Sequence, residues 1–305
     1  MISKLVIAAS ALSQLAFAAG PAPLALETAE GVKVAEWQAA AHPRKPFVAQ
    51  LFVPGAAARG VLDVAPDDHP HHHGLMFAVA VDGVGFWGEQ DETTGSQQPV
   101  GEVIPPHDGM ARQQLRWIAG NGDHLLDERR TLRVRVSGGE SAVHWLDWRS
   151  ELTPAEGRAE VELTGLHYYG FGMRMRPEWT GTGEFLWAGV DGQKVVRGDE
   201  KLTPGAWCAV RTRVDGEPIT VLMVDHPENP RPARWFTMGV PFCYLSATLD
   251  LEERPARLAG GQLWSLQWGV AVISGAPARE QLSALAREWV EANPNNTETN
   301  NPTQP

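Results

Sequence analysis

The sequence is poor in the groups that usually announce a chemistry. Cysteine occurs only twice, at Cys208 and Cys243, with no CxxC pair, so a cysteine-built zinc site and a thioredoxin-type centre are excluded. Both cysteines lie in apolar stretches, where two buried thiols fit as well as one bridge. There is no P-loop, no dinucleotide fingerprint opening a helix, no HExxH and no GxSxG, which removes the motif-based NTPase, nicotinamide, zincin and serine-hydrolase readings. Positive charge is short as well: 26 Lys and Arg against 37 Asp and Glu give a net charge of −11. A phosphate backbone or an anionic lipid surface demands a basic face, so nucleic-acid and membrane-surface partners are not expected. Strands alternating regularly with helices are also missing, which excludes Rossmann and TIM-barrel architectures.

Residues 1–18 read as a secretory signal peptide. Lys4 supplies a positive start, residues 5–18 are largely apolar, and Ala16-Phe17-Ala18 fits small-x-small cleavage. The stretch falls short of the roughly 20 apolar residues that span a bilayer. These features predict a periplasmic or secreted protein. Residues 293–305 contain only Asn, Pro, Thr, Glu and Gln, and a tail with nothing to bury is expected to be disordered. The body, 19–292, is predicted as one β domain.

Alternation marks the strands. Leu132, Val134 and Val136 alternate with Arg133 and Arg135, and Val161 and Leu163 with Glu160 and Glu162, the period of a half-buried strand. The run 75–81 is continuously apolar, Asp82-Gly83 is a hairpin signal, and 84–87 returns. Segments 219–224 and 263–273 also read as strands. One helix is predicted at 279–292, where Leu282, Leu285, Ala286, Trp289 and Val290 form an amphipathic stripe. Many strands, Gly-rich turns and a single late helix predict an all-β fold, a large antiparallel β-sandwich with one C-terminal helix.

The residues with chemistry gather beside the apolar strands. Asp67-Asp68-His69-Pro70-His71-His72-His73-Gly74 precedes the 75–81 run. Imidazole near neutral pH exchanges protons or binds metals. In an extended chain His69, His71 and His73 share one face, and His69 with His71 would hold a divalent metal if a third ligand came from elsewhere. The plain alternative is a histidine-rich surface loop. Glu89, after Phe86-Trp87-Gly88, is brought back towards the loop by the hairpin. Asp225-His226-Pro227-Glu228-Asn229-Pro230-Arg231 follows the 219–224 strand, offering His226, Asn229 and Arg231, or else a Pro-rich turn capped by Asn229. His167, Tyr168 and Arg174 form a further set, with His107 beside them as a last candidate; buried His and Tyr in sheets are often structural. The 12 Trp against 3 Tyr supply flat platforms suited to a sugar ring, though most belong in a core.

These segments resemble a family of exported bacterial proteins commonly labelled "methane oxygenase PmoA". Its pattern is matched by 67–77, by Phe86-Trp87-Gly88-Glu89, by His167-Tyr168-Tyr169-Gly170 and by 226–231. Two departures stand out: His73 occupies the position of an Arg, and Tyr169 that of a Gly. The oxygenase name belongs to a multi-span membrane subunit, and no such span is present here. What the resemblance implies is a galactose-mutarotase-like supersandwich with a carbohydrate cleft on one sheet. The leading expectation is therefore an exported carbohydrate-active enzyme working on a glycoside or modified sugar by hydrolysis, elimination or isomerisation. His72, Glu89 and His226 would be its acid–base residues. His71, His107, His167, Tyr168, Arg174, Asn229 and Arg231 would contact the small-molecule or oligosaccharide ligand. A metal-dependent oxidoreductase using His69, His71 and His226, and a noncatalytic carbohydrate-binding module, are the alternatives.

Overall fold

The computed structural model describes residues 21–40, 44–64, 66–89, 91–138, 142–189 and 192–294. The expected leader and all but the first two residues of the expected tail lie outside them. Two large antiparallel sheets face one another. The first runs, edge to edge, Leu24–Glu27, Lys33–Gln38, Phe47–Val53, Leu75–Ala78, Gly170–Arg174, Tyr244–Thr248, Arg234–Met238, Glu200–Pro204 and Lys194–Arg197, with Ala56–Gly60 paired to Phe47–Val53. The second runs Glu184–Trp187, Trp207–Val214, Glu217–Asp225, Trp264–Ser274, Val143–Pro154, His124–Ser137, Met110–Ile118 and Ser96–Pro99. A small third sheet joins Ala256–Ala259, Glu160–Thr164, Ala80–Val81 and Val84–Gly85. The result is the all-β sandwich with one C-terminal helix that the alternation predicts.

Aromatic rings lock the two sheets together. Phe171 of the first sheet stacks on Trp268 of the second with centroids 4.8 Å apart and also meets Trp148 at 5.1 Å. Phe77 meets Trp117 and Trp268. Because side chains alternate along a strand, Phe77, Phe171 and Ala247, in register across three strands, place Met76, Gly172 and Ser246 on the outer face of the first sheet. The core also takes in a salt bridge: Glu128 and Arg130, both fully buried, pair at 2.8 Å, and Trp117 Nε1 and Ser150 Oγ donate to the Glu128 carboxylate. Such burial is tolerated because the carboxylate's acceptors are filled.

The run 75–81 is not one strand. Leu75–Ala78 belongs to the first sheet and Ala80–Val81 to the third, so Val79 is where the chain changes sheets. Asp82 and Gly83, with φ of 49° and 79°, make the expected hairpin turn. The helix spans Arg279–Ala292 and covers the outer face of the second sheet. Leu282, Ala286 and Trp289 are buried there among Trp145, Leu222, Val224 and Ile273, whereas Leu285 is only partly covered. Trp289 fits because residue 269 has no side chain: a Cβ there would lie 2.4 Å from the indole. Cys208 and Cys243 are buried free thiols. Among the described residues no helix is long and apolar enough to cross a membrane.

Candidate functional site

The histidine segment folds as a tight loop on the outer face of the first sheet. His72 N–H donates to the His69 carbonyl at 2.9 Å, closing a turn that draws four imidazoles together. Gly74 ends the loop at φ 54°, where an added Cβ would sit 2.4 Å from the Val48 carbonyl; only glycine permits that approach. His72 is central. Its ring stacks on His69 at 5.0 Å, meets His71 edge-on at 4.6 Å, and touches Phe242, Tyr244 and Trp87. Arg174, paired in register with Tyr244 on that outer face, reaches Asp68 with Nη2 at 2.9 and 3.1 Å and His72 Nδ1 with Nη1 at 3.5 Å. Its guanidinium lies over the Phe242 ring at 3.6 Å.

Burial sets the protonation of the loop. It pushes His72 down to about 2, with the neighbouring charges of His71, His69, Arg174 and Lys45 adding to the fall. His71 falls to about 4, first through burial and then through Lys45 and His69. Both rings are neutral at pH 7. Arginine only donates, so Nδ1 of His72 is the acceptor and its proton sits on Nε2. His72 is then a neutral N–H donor, not a proton shuttle, since an acid–base catalyst works best with a pKa near the working pH.

Glu89 does return to the loop, but to His73. His73 Nε2 meets Glu89 Oε2 at 2.9 Å, its Nδ1 faces the Val64 carbonyl at 3.2 Å, and its ring stacks on Phe47. Lys45 Nζ donates to Glu89 Oε1 at 2.7 Å and to the Trp87 carbonyl at 2.8 Å. Burial acts to raise the Glu89 carboxyl, and His73 and Lys45 overcome it and hold it below its usual value. Burial lowers Lys45 despite the pull of Glu89. With both oxygens engaged, Glu89 supports the loop from beneath. Lys45 had not been singled out in the sequence; its one signal is that it precedes a buried strand, as the other polar groups of this face do.

An aromatic wall closes the other side. Trp87 stacks on Tyr169 at 5.1 Å and 12°, and meets Tyr168 edge-on. His167 lies beyond Tyr168, against Glu252 and Glu200 at 3.1 and 3.3 Å. Tyr169 therefore packs on Trp87 and covers it. Beneath this wall the strand Tyr244–Thr248 turns three hydroxyls outward. Those of Tyr244, Ser246 and Thr248 find no well-formed hydrogen-bond partner, nor do Trp87 Nε1 and His71 Nδ1. Tyr244 is buried with its hydroxyl directly over Gly172, where a Cβ would lie 2.1 Å away. Thr248, at the far end of the row, lines a cavity of about 300 Å³ shared with His167, Asp250 and Glu252.

His226 does not join this face. It packs edge-on against Trp289 at 5.8 Å, on the helix-covered side of the second sheet, the opposite outer layer of the sandwich. The expected convergence of His72, Glu89 and His226 is therefore not found. The 226–231 segment is a capped turn. Asn229 Nδ2 donates to Asp225 Oδ1 and to the Gln267 carbonyl, and Asn229 Oδ1 accepts from Gln267 N–H. Burial raises Asp225 to about 7 against the bonds from Ala233 and Asn229. Arg231 is spent on the carbonyls of Arg254 and Pro255. His107, 87 % exposed, pairs with Asp108 in the turn before Met110–Ile118, away from the loop. His69 and His71 meet ring to ring at 5.8 Å, but among the described residues no group of three or more His, Cys, Asp or Glu is arranged to hold a metal ion, so the metal reading gains no donor set.

Known proteins add little to this geometry. No curated protein matches the sequence. Solved structures with a similar backbone include a Glycoside Hydrolase Family 97 enzyme from Pseudoalteromonas sp. strain K8 in complex with acarbose, and a variant in complex with panose. Each is 11 % identical with a TM-score of 0.44 and covers 82 % of this chain. The chain spans 35 % of the length of those proteins, and at that level the likeness settles neither ligand nor reaction. Residues 26–287 match the family of unknown function DUF6807, and the chain belongs to that family.

Proposed function

We propose that the outer face of the first sheet binds a hydroxyl-rich, carbohydrate-type ligand beneath Trp87, Tyr168 and Tyr169, and that the protein acts on it by proton transfer beside a carbonyl, as an isomerase or an eliminating enzyme. The observation that carries this reading is the set of buried polar atoms on one face that lack a well-formed partner: Trp87 Nε1, His71 Nδ1 and the hydroxyls of Tyr244, Ser246 and Thr248, of which only Tyr244 and Ser246 interact with one another. Each unsatisfied buried group costs about 1–3 kcal/mol, so the set calls for a partner with many hydroxyls set against aromatic rings. A β-rich make-up like that of the galactose-mutarotase-like supersandwich is in keeping with this reading.

The protonation states favour isomerisation or elimination over hydrolysis. Hydrolysis normally uses two carboxyl groups across the scissile bond, and Glu89 has both oxygens bound. A neutral imidazole N–H, as on His72, polarises a carbonyl without giving up its proton. His71, neutral, lowered less than His72 and with Nδ1 unpartnered, is the better placed of the two rings to accept a proton, though a weak base, and Arg174 holds His72 in its tautomer. Nuclear magnetic resonance of a panel of aldoses, ketoses and oxidised glycosides in D₂O tests this. Loss of a C–H signal beside a carbonyl is expected with the wild type and not with His71→Ala. Binding of sugars without exchange of any carbon-bound proton would overturn the enzyme reading in favour of a noncatalytic carbohydrate-binding module, which the near-complete burial of His72 also accommodates. Export to the periplasm or outside is part of the proposal, resting on residues 1–18.

A further inference from the structure

The outer face of the second sheet carries a charge pattern that the histidine face does not use. Thr131 has Arg112 directly opposite on one neighbouring strand and Arg149 on the other. Arg129 and Arg133 lie two residues away in either direction on its own strand, so all four side chains leave the sheet on the side of Thr131. Strand spacing and rise set their Cα atoms about 5–7 Å from that of Thr131. The four arginines form a cross around one hydroxyl, and together they line a cavity of about 800 Å³.

The counter-charges do not balance the cross. Glu151 serves two of the arms, Arg129 at 3.3 Å and Arg149 at 3.4 Å. Asp147, opposite Arg133 and interacting with its charge, also binds Trp289 Nε1 at 2.6 Å and Arg135 at 3.6 Å, so it is shared between Arg133 and Arg135. The Arg112 side chain makes no hydrogen bond or ion pair among the described residues. Glu102 lines the cavity too, so two carboxylates, Glu102 and Glu151, face the four arms, and a chain of net charge −11 still gathers surplus positive charge in one concavity. Like charges set side by side on a sheet are destabilising, and a cleft in which one sign is in excess concentrates the opposite ion.

We infer that this cleft is a binding site for a short oligosaccharide bearing oxyanions, either uronate carboxylates or sulfate esters. Guanidinium forks bind such groups in pairs of charge-assisted hydrogen bonds. Thr131 and Gln114 offer groups for ring hydroxyls, and Val100 and Ile104, 38 % and 70 % exposed, offer apolar surface to the carbon-bound face of a sugar. A cavity of this size takes a short ligand. The acidic bulk of the chain repels a long, dense polyanion such as nucleic acid. The site is independent of the histidine face, which is the opposite outer layer of the sandwich.

Fluorescence anisotropy of the full chain tests it with four labelled probes: a short oligogalacturonate, a sulfated oligosaccharide and a neutral oligosaccharide of the same length, and a single-stranded oligodeoxynucleotide. At least one acidic saccharide should bind, more weakly as salt rises, and the tighter of the two identifies the oxyanion. Arg112→Gln with Arg133→Gln should weaken that binding by about tenfold or more, while Arg213→Gln with Arg257→Gln, at exposed sites elsewhere, should not. If the first pair fails to fold, Arg112→Gln alone, at an exposed and unpaired side chain, carries the test. Failure of both acidic saccharides to bind, equal losses in the two variant pairs, or binding of the neutral saccharide or the oligodeoxynucleotide as tight as that of the acidic ones would overturn the inference.

Discussion

Glu89→Gln tests the support beneath the histidine loop. Glu89 and Lys45 have side chains 8 % and 1 % exposed, so their contact is little screened by solvent. The variant keeps the shape of the side chain and removes its charge. Lys45 then retains the Trp87 carbonyl but loses its counter-ion, and breaking a buried pair from one side costs about 3–5 kcal/mol. Replacing both partners, Lys45→Met with Glu89→Gln, removes the stranded charge as well, so the double variant should be more stable than Glu89→Gln alone. The acid limb has a definite sign. Glu89 is held below its unfolded value, so its contribution is complete above about pH 4.3 and is lost as pH falls through the lower folded value. In the variant the sign reverses: Lys45, already lowered by burial, binds fewer protons folded than unfolded, so the deficit should shrink as pH rises towards about 10.4. Urea unfolding at several pH values, read as a double-mutant cycle, measures all three. A loss under about 1 kcal/mol for Glu89→Gln, or single losses that simply add, would show that Lys45 and Glu89 do not act as a unit.

The helix offers a simple contrast: Leu282→Ala should cost about 2–5 kcal/mol and Leu285→Ala about 1 kcal/mol, since only Leu282 is fully buried; equal losses in thermal or urea unfolding would contradict the packing. His71 and His72 have lowered folded values, so the unfolded chain takes up protons first and stability should begin to fall as pH drops below about 6.5. In nuclear magnetic resonance the His72 ring should show no titration between pH 5 and 8, and a midpoint in that window would refute the neutral-donor role. Thr248→Val removes a hydroxyl that lacks a well-formed partner, so it should leave the free protein as stable or slightly more stable while weakening carbohydrate binding; a loss of stability with unchanged binding would make the hydroxyl row structural. Amino-terminal sequencing of protein from the native host should begin near Ala19, and an intact Met1 would end the export proposal.

The fold was legible because its signals are local. Alternation at Leu132 and Val134 reports one wet face, although Val136, the third member of the series, is exposed near the strand end, and the stripe from Leu282 to Val290 matches a helix whose span, Arg279–Ala292, coincides with the range read from the sequence. What periodicity cannot show is a change of sheet within one extended run. Residues 75–81 are apolar throughout, because both the strand in the first sheet and the strand in the third are buried. The break at Val79 depends on partners more than 80 residues further along, Gly170 for Ala78 and Thr164 for Ala80, and no local pattern encodes them.

The site was half legible for a related reason. Polar groups next to apolar strands were read as one pocket, yet such placement says only that a group lies at a sheet margin, and a sandwich has two outer layers. The His69–His73 loop and Arg174 share a layer because the register sets Arg174 beside Tyr244. His226 follows a strand of the other sheet, and its neighbour Trp289 was itself recognisable as a buried helix residue, so the helix's choice of sheet decides where His226 goes. That choice rests on details as small as the missing side chain at Gly269. The chemistry of individual residues was harder still to read. His72 is the leading proton carrier by residue type, but five aromatic and imidazole rings around it remove the water that would stabilise its charged form. Glu89 was a free carboxylate by residue type, but Lys45, 44 positions earlier, takes one oxygen. In both cases the residue named in the sequence is where the structure needs it, and local histidines act on it together with groups from distant chain: Trp87, Phe242, Tyr244 and Arg174 around His72, and Lys45 beside Glu89.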